Sequence, residues 1–428
     1  MSGLHYLQLL KRFCVGCGAC LGVCPKDAIL PKVFAGYISV SIDVNKCARC
    51  QLCYEVCPVP TNLNSKDKSI QAFTSRMFIG YAADEKIRYQ GASGGVITAI
   101  LSYLLEKGEV NGVLVAKICG KNILPYIATN PGQLAESQGS IYFPTFSLKL
   151  LKELKHKEGK YAVVGLPCQI DALIRIIAEG FLAANKIKYL LGLRCYHVNA
   201  PWYLTYMIKH MLRLPVDKVN EVSARKYGWP GKVIVKSKMG TYIIPHFYNR
   251  KSGIGLWNPL ALGDFNAQLG CLLCTNHENT NADITFGDAW FSQIMRKDKI
   301  GTSLIIVRTE KGRKLIEKVV SEGRIVIRNI KEENYPHQSL TDVRIIRILV
   351  LRTMIKKGFV KTLRRWGLAC LLTTIPYFVI SSPSLRRVLL HIMPPKILME
   401  VISAYMQMLK WYLAHTLTNG KAKIAMVR

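Results

Sequence analysis

Eight cysteines before residue 58 stand at spacings that few kinds of chemistry use. Cys14, Cys17, Cys20 and Cys24 are followed by Pro25. Cys47, Cys50, Cys53 and Cys57 are followed by Pro58, so the run C-x2-C-x2-C-x3-C-P occurs twice, offset by 33 residues. Three thiolates at i, i+3 and i+6 curl around three corners of one iron–sulphur cubane. The fourth, beyond the turn that proline enforces, reaches a neighbouring cubane. CxxC pairs also bind zinc, but zinc needs neither the third cysteine nor the Cys-Pro ending, so iron–sulphur ligation is the better reading.

The double run resembles a two-cluster bacterial-type ferredoxin domain over residues 10–60. Cys14, Cys17, Cys20 and Cys57 would hold one [4Fe–4S] cluster, and Cys47, Cys50, Cys53 and Cys24 the other. Of the other six cysteines in the chain, Cys168 and Cys195 each follow an expected strand and Cys271 and Cys274 form a CxxC pair. Ligands gather at the carboxyl ends of strands in parallel α/β sheets. These four could therefore converge on a third cluster, or Cys168 and Cys195 could be small buried hydrophobes. Cys119 and Cys370 fit no pattern and are read as structural.

Elements must position these groups. The alternation from Val33 to Val44 reads as a hairpin between the cysteine copies, and the polar stretch Thr61–Ser69 as a linker. From about Gln71 strands and helices alternate. Strands are expected at Met77–Ala82, Val110–Ile118, Tyr161–Val164 and Tyr189–Leu193, and helices at Val96–Lys107, Leu148–Lys157 and Gln169–Glu179. Lys232–Ile244 reads as a hairpin turning at Met239-Gly240. The expected fold class is α+β: a small ferredoxin-like domain (1–62), a linker (63–70), an α/β flavin-binding core (71–343) and a basic helical extension (344–428).

The loop Gly91-Ala92-Ser93-Gly94-Gly95 opens a helix and could cap it or cradle a phosphate. With it, Gly165-Leu166-Pro167-Cys168-Gln169, Arg225-Lys226-Tyr227-Gly228-Trp229, Cys271-Leu272-Leu273-Cys274, Ala282–Trp290 and Gly301–Thr309 occur in an order similar to that of the beta subunit of coenzyme F420 hydrogenase/dehydrogenase. The resemblance covers roughly residues 75–330. It implies an FAD-binding iron–sulphur oxidoreductase, with Ser93, Gly94, Gly95 and Gly287 on the flavin side. Lys226 and Asp288 would contact flavin or substrate, and Cys168, Cys195, Cys271 and Cys274 would ligate the third cluster. His197 and His277 are candidate proton donors. A hydride carrier such as coenzyme F420 moves two electrons at once and a cluster moves one, so a flavin belongs between them. Two further classes stay open: an electron-transfer subunit without its own substrate, and a reductase of a lipid or tetrapyrrole-like substrate.

The 428 residues carry 59 Lys plus Arg against 27 Asp plus Glu, net +32. Half of them are hydrophobic, which excludes a disordered chain. Residues 344–428 hold fifteen Lys or Arg and one acidic residue, Glu400. Trp366–Ser382, uncharged and flanked by Arg364-Arg365 and Arg386-Arg387, is seventeen residues long and contains Pro376. A membrane span needs about twenty residues. The tail therefore suits an anionic membrane face or an acidic redox partner better than nucleic acid, for which no recognition module is visible. With no apolar run in Met1–Arg12, the expected location is cytoplasmic, peripheral at the inner membrane face.

Overall fold

A computed structural model describes residues 13–59, 76–247, 255 and 266–330. The expected linker at 63–70 and extension at 344–428 lie outside the described residues. In the first segment, a helix α1 (Ala19–Val23) follows the first two cysteines of copy one and carries the third. A hairpin pairs β1 (Ile29–Phe34) with β2 (Tyr37–Ile42), and α2 (Leu52–Glu55) lies in copy two.

The two copies share a backbone signature. Gly16 and Gly18 have φ of 69° and 87°, and their counterparts Arg49 and Gln51 have 56° and 63°. The cysteine loop thus needs the left-handed region at the same two positions in each copy. In the first copy a side chain is excluded, because a Cβ on Gly18 would lie 2.5 Å from the Phe146 carbonyl oxygen. In the second copy Arg49 and Gln51 are exposed, so larger residues tolerable in that region suffice.

The second segment contains β3 (Arg76–Ala82), α3 (Glu85–Gln90), α4 (Val96–Glu106), β4 (Gly112–Cys119), β5 (Asn122–Ala128) and α5 (Leu151–His156). It continues with β6 (Tyr161–Gly165), α6 (Pro167–Ala178), β7 (Ile187–Leu193), α7 (Pro201–Tyr206), β8 (Val219–Lys226), β9 (Lys232–Ser237) and β10 (Gly240–Pro245). The third adds β11 (Ile284–Asp288), α8 (Ser292–Lys297), β12 (Ser303–Val307), α9 (Glu310–Ser321) and β13 (Ile325–Asn329). Eight strands form one sheet in the order β13-β3-β12-β11-β7-β6-β4-β5. Its centre, β11-β7-β6-β4, is parallel, while the pairs β4–β5, β11–β12, β12–β3 and β3–β13 are antiparallel. A second antiparallel sheet has the order β10-β9-β8.

Strand side chains alternate between two layers, as a period of two requires. Leu114 and Val163 face the layer built by α5 and α6, whereas Val113, Val115 and Ala162 face that of α4 and α9. On α9, Gly312, Leu315, Ile316 and Val319 are buried, a helical stripe, and the Thr309 hydroxyl caps it by accepting from Gly312 N at 3.1 Å.

The ferredoxin-like segment does not stand apart. Cys14, Val23, Val40 and Val56 share one buried cluster with Leu148, Leu173 and Leu273 of the core. Phe146 N donates to Gly16 O at 2.9 Å and Leu148 N to Cys17 O at 3.0 Å. Gln268, fully buried, donates to Cys14 O at 2.9 Å and to Ile38 O at 2.5 Å while its oxygen accepts from Ile38 N.

The expected strands and helices are present with small shifts. The exception is Leu148–Lys157, which starts as a tight turn over Ser147–Leu150 before α5.

Candidate metal centres and the adjoining polar site

The twelve cysteines expected as ligands fall into three electrostatically coupled sets. Cys17 interacts with Cys57 and Cys14, and Cys20 with Cys17, Cys14 and Cys57. Cys53 interacts with Cys50, Cys24 and Cys47. Cys168 interacts with Cys195, Cys271 and Cys274. The surroundings of the fourth cysteines agree with the expected crossover: Cys24 lines one hollow with Cys47, Cys50 and Cys53, and Cys57 interacts with Cys14, Cys17 and Cys20.

Two further interactions join the sets. Cys168 feels Cys17, and Cys20 feels Cys53. Each of these interactions involves the first ferredoxin set, with a core cysteine in one case and a second-set cysteine in the other.

Burial differs between the sets, deepest in the first ferredoxin set and least in the second. Burial pushes the Cys14 thiol up to about 12 and raises Cys17, Cys20 and Cys168 well above the ordinary thiol range. In the second set Cys53 rises to about 11 through burial and neighbouring thiols, and Cys50 is exposed. Without a cation such thiols stay protonated; a bound metal deprotonates its thiol ligands outright.

The donor sets fit [4Fe–4S] clusters. Each offers four sulphurs, and backbone donors already address two of them: Gly16 N to Cys14 Sγ and Ala28 N to Cys24 Sγ, both 3.3 Å. Such hydrogen bonds favour thiolate and tune cluster potential. A hollow at the second set is lined by Cys24, Cys47, Cys50 and Cys53 with Pro25, Ile29 and Ile42. Among the described residues no three His, Cys, Asp or Glu close on a single-ion site. A cubane asks for a wider arrangement, since its thiolates bind separate iron corners.

The parallel centre of the sheet explains the core set. Cys168 lies three residues past the last residue of β6, at the start of α6, and Cys195 two past the last residue of β7. β6 and β7 are adjacent, and β11 beside β7 ends at Asp288. The CxxC loop is tied to α6 by Asn276 and Asn281, whose amides donate to Asp171 at 3.2 Å and 2.7 Å. It is tied to Cys195 by His277, whose Nδ1 lies 2.9 Å from the Cys195 carbonyl oxygen. His197 is buried, its Nε2 3.2 Å from Asn199 Oδ1. Both histidines make protein contacts at these atoms. Cys119 ends β4 and is exposed, not a buried core residue.

The residues expected beside a flavin are largely engaged within the protein. Ser93 Oγ lies 2.8 Å from Ser303 Oγ, and Gly94 N donates to Ser303 Oγ at 2.9 Å. A Cβ on Gly94 would come 2.5 Å from Gly80 O, one on Gly95 2.7 Å from Ile87 O, and one on Gly287 2.8 Å from the Arg194 side chain. These glycines permit close packing of protein on protein. Gly95, at φ 73°, opens α4 without a side-chain cap. Lys226 is half-buried, and that burial lowers its amine from the ordinary range.

Asp288 is held by Arg225, which the sequence pattern does not single out beside its neighbour Lys226. Arg225 Nη2 is 2.5 Å from Asp288 Oδ1 and Nη1 2.9 Å from Oδ2, and Trp229 Nε1 donates to Oδ1 at 2.8 Å. The same guanidinium donates to Tyr142 Oη, Ala92 O and Pro230 O, so one buried cation joins β8, the Gly91–Gly95 loop and the end of β11. Asp288 keeps Arg225 charged despite burial. An irregularity in the β8–β9 pairing between Ala224 and Lys226 breaks the strand's alternation at this point, which a period-two pattern cannot anticipate. Beyond it the chain stays strained, with φ of 50° at Arg225 and 66° at Tyr227. Trp229 stacks on Trp290 at 4.8 Å, and His246 stacks on the same indole at 5.6 Å.

Comparison with known proteins gives matches over most of the described chain. The family model for the coenzyme F420 hydrogenase/dehydrogenase beta subunit N-terminus matches residues 77–152, and the model for its C terminus matches 158–333. A 4Fe-4S dicluster domain matches 13–61. The coenzyme F420-dependent sulfite reductase of Methanocaldococcus jannaschii is 27% identical over 71% of this chain and 45% of its own length. The F420-dependent formate dehydrogenase 1 subunit beta of Methanococcus maripaludis is 26% identical over 59% of this chain and 61% of its own. The coenzyme F420 hydrogenase subunit beta of Methanococcus voltae is 26% identical over 59% and 83%. The chain thus spans less than two thirds of the first two relatives. The solved F420-reducing [NiFe] hydrogenase complex from Methanosarcina barkeri has a chain matched at TM-score 0.48 and 20% identity, covering 69% of this chain and 93% of that one.

Proposed function

Because the chain belongs to the family of coenzyme F420 hydrogenase/dehydrogenase beta subunits and carries a 4Fe-4S dicluster domain, we propose that it is the electron-transferring subunit of an oxidoreductase. In this reading it passes electrons between a hydride carrier of the F420 kind and a one-electron partner protein. The observation that carries the reading is the packing of the first ferredoxin-like loop onto the core, through one shared buried cluster and the bonds from Phe146 N and Leu148 N to Gly16 O and Cys17 O, with Cys168 within electrostatic reach of Cys17 and Cys20 of Cys53. Cys168, Cys195, Cys271 and Cys274 hold the core cluster. Cys14, Cys17, Cys20 and Cys57 hold the middle one, and Cys24, Cys47, Cys50 and Cys53 the outer one.

The clusters, when bound, supply one-electron transfer, and an FAD supplies the conversion from hydride to single electrons. The protein's part is position and charge. The Arg225–Asp288 pair fixes the end of β11 against the Gly91–Gly95 loop. The uncapped start of α4 at Gly95 and the half-buried Lys226 amine are the groups left to meet an anionic flavin. The burial of Cys14, Cys17 and Cys57 keeps water from the thiols of the first set. The exposed Cys50 makes the second set the exit toward a partner.

Support for a partner comes from the face around that exit. Leu30, Val33, Phe34 and Val44 are exposed by 55–72%, with Lys26, Lys32 and Arg49 exposed beside them in the sequence. Exposed apolar side chains with cations among them suit an acidic redox protein. The relatives' greater length supports a module of a larger assembly over a free-standing enzyme. The net +14 of residues 344–428 adds positive charge suited to a partner or an anionic membrane face.

Anaerobic counting of iron, sulphide and flavin tests the reading: about twelve iron and one FAD per chain are expected. A chain that binds iron but never flavin would remove the hydride-accepting role and leave a one-electron adaptor.

A further inference from the structure

One buried side chain outside the cysteines bridges the two strand ends that lead to Cys168 and Cys195. Asn279 is fully buried and holds a left-handed φ of 53°, a conformation asparagine tolerates better than most residues. Its amide nitrogen donates to the Gly165 carbonyl at 2.8 Å and to the Leu193 carbonyl at 3.1 Å. Gly165 ends β6, the strand leading to Cys168, and Leu193 ends β7, the strand leading to Cys195. Asn279 itself belongs to the loop that follows Cys274.

The rest of the surroundings hold Asn279 in place. Its own carbonyl accepts from Thr285 Oγ1 of β11 and from Ala282 N, both at 3.1 Å. Directly beside it β7 has Gly192, where a Cβ would lie 2.6 Å from the asparagine's Nδ2. Two carbonyls at one point require a group with two hydrogens to give, and a primary amide supplies both without charge.

We infer that Asn279 is the positioning residue of the core cysteine set. Its amide fixes the distance between the strand ends that carry Cys168 and Cys195, and holds the loop of Cys271 and Cys274 against them. A four-iron cluster needs four thiolates placed together within fractions of an ångström, and residues behind the ligands set that placement. The inference rests on reading those four cysteines as ligands of a third cluster.

Two substitutions on the full chain test it. Asn279→Gly keeps the left-handed backbone and removes both donors. Asn279→Asp keeps the shape but turns carboxylate oxygens toward two carbonyls. The readouts are anaerobic iron content and the EPR spectrum of each cluster, with the two ferredoxin signals as an internal standard of folding. In both variants iron falls from about twelve to about eight, or the core signal alone changes line shape. Variants that keep about twelve iron with an unaltered core signal overturn the inference. So does parallel loss of all three signals, which marks a general folding role. If the unsubstituted chain holds only about eight iron and Cys168→Ser changes nothing, the third-cluster reading itself fails and takes the inference with it.

Discussion

At the scale of single residues, charge and burial decide what each group does. Arg225 and Asp288 are 4% and 17% exposed in their side chains, so each is costly without the other. Replacing Asp288 by Ala leaves a buried guanidinium without its counter-charge. The expected loss is about 3–5 kcal/mol, read as a lower midpoint in denaturant, while Lys226→Ala should change stability little. His246 makes a pH prediction. Its pKa is pushed down to about 2 by burial and by the nearby Arg225. The folded protein therefore keeps it neutral, whereas the unfolded chain takes up a proton below about 6.5. Stability from this group is complete above that pH and is lost as pH falls toward 2. His246→Phe should flatten the decline in stability between pH 6 and 4 by up to one proton's slope; an unchanged slope would refute the assignment.

At the scale of elements, the repeated cysteine run and the parallel strand ends follow one logic: a loop of fixed backbone shape presents sulphur, and the flanking elements set its direction. The left-handed pair at Gly16 and Gly18 recurs at Arg49 and Gln51, so loop shape is dictated by ligand spacing and side chains vary with burial. Gly270 shows how tightly the loops meet, since a Cβ there would lie 2.1 Å from Phe13 O. Gly270→Ala should cost about 1–3 kcal/mol as an overpacked contact. It should also speed proteolysis of the first segment more than of the core, as limited digestion would register. The sequence pattern marks β6, β7 and α6 because their apolar periods are clean. It does not mark β5, β8 and β13, since exposed edges and a register shift blur a two-residue period.

At the scale of the whole molecule, the ferredoxin-like segment and the core share one buried cluster, so the placement of their cysteine sets relative to one another is fixed by packing. In the proposed relay the exposed hairpin and the second set form the outward end. Phe34→Glu with Arg49→Glu should slow electron delivery to an acidic one-electron acceptor several-fold and weaken its dependence on salt. Reduction of the clusters within the chain should not change. Equal rates with the variant at low salt would place the exit elsewhere.

Spacing along the chain singled out the first eight candidate ligands and their expected partition, because a cubane's geometry is written into intervals of two and three residues. The interactions between the three sets, the weld between segments, and the roles of Arg225, Gln268 and Asn279 came only from the tertiary structure. Each of these three side chains serves carbonyls or charges far away in sequence, and a hydrogen-bond donor leaves no periodic trace of the partner it will meet. Spacing alone left the four core cysteines open between ligands and buried hydrophobes. The adjacency of β6 and β7, with the CxxC loop held against them, is what brings those four thiols together.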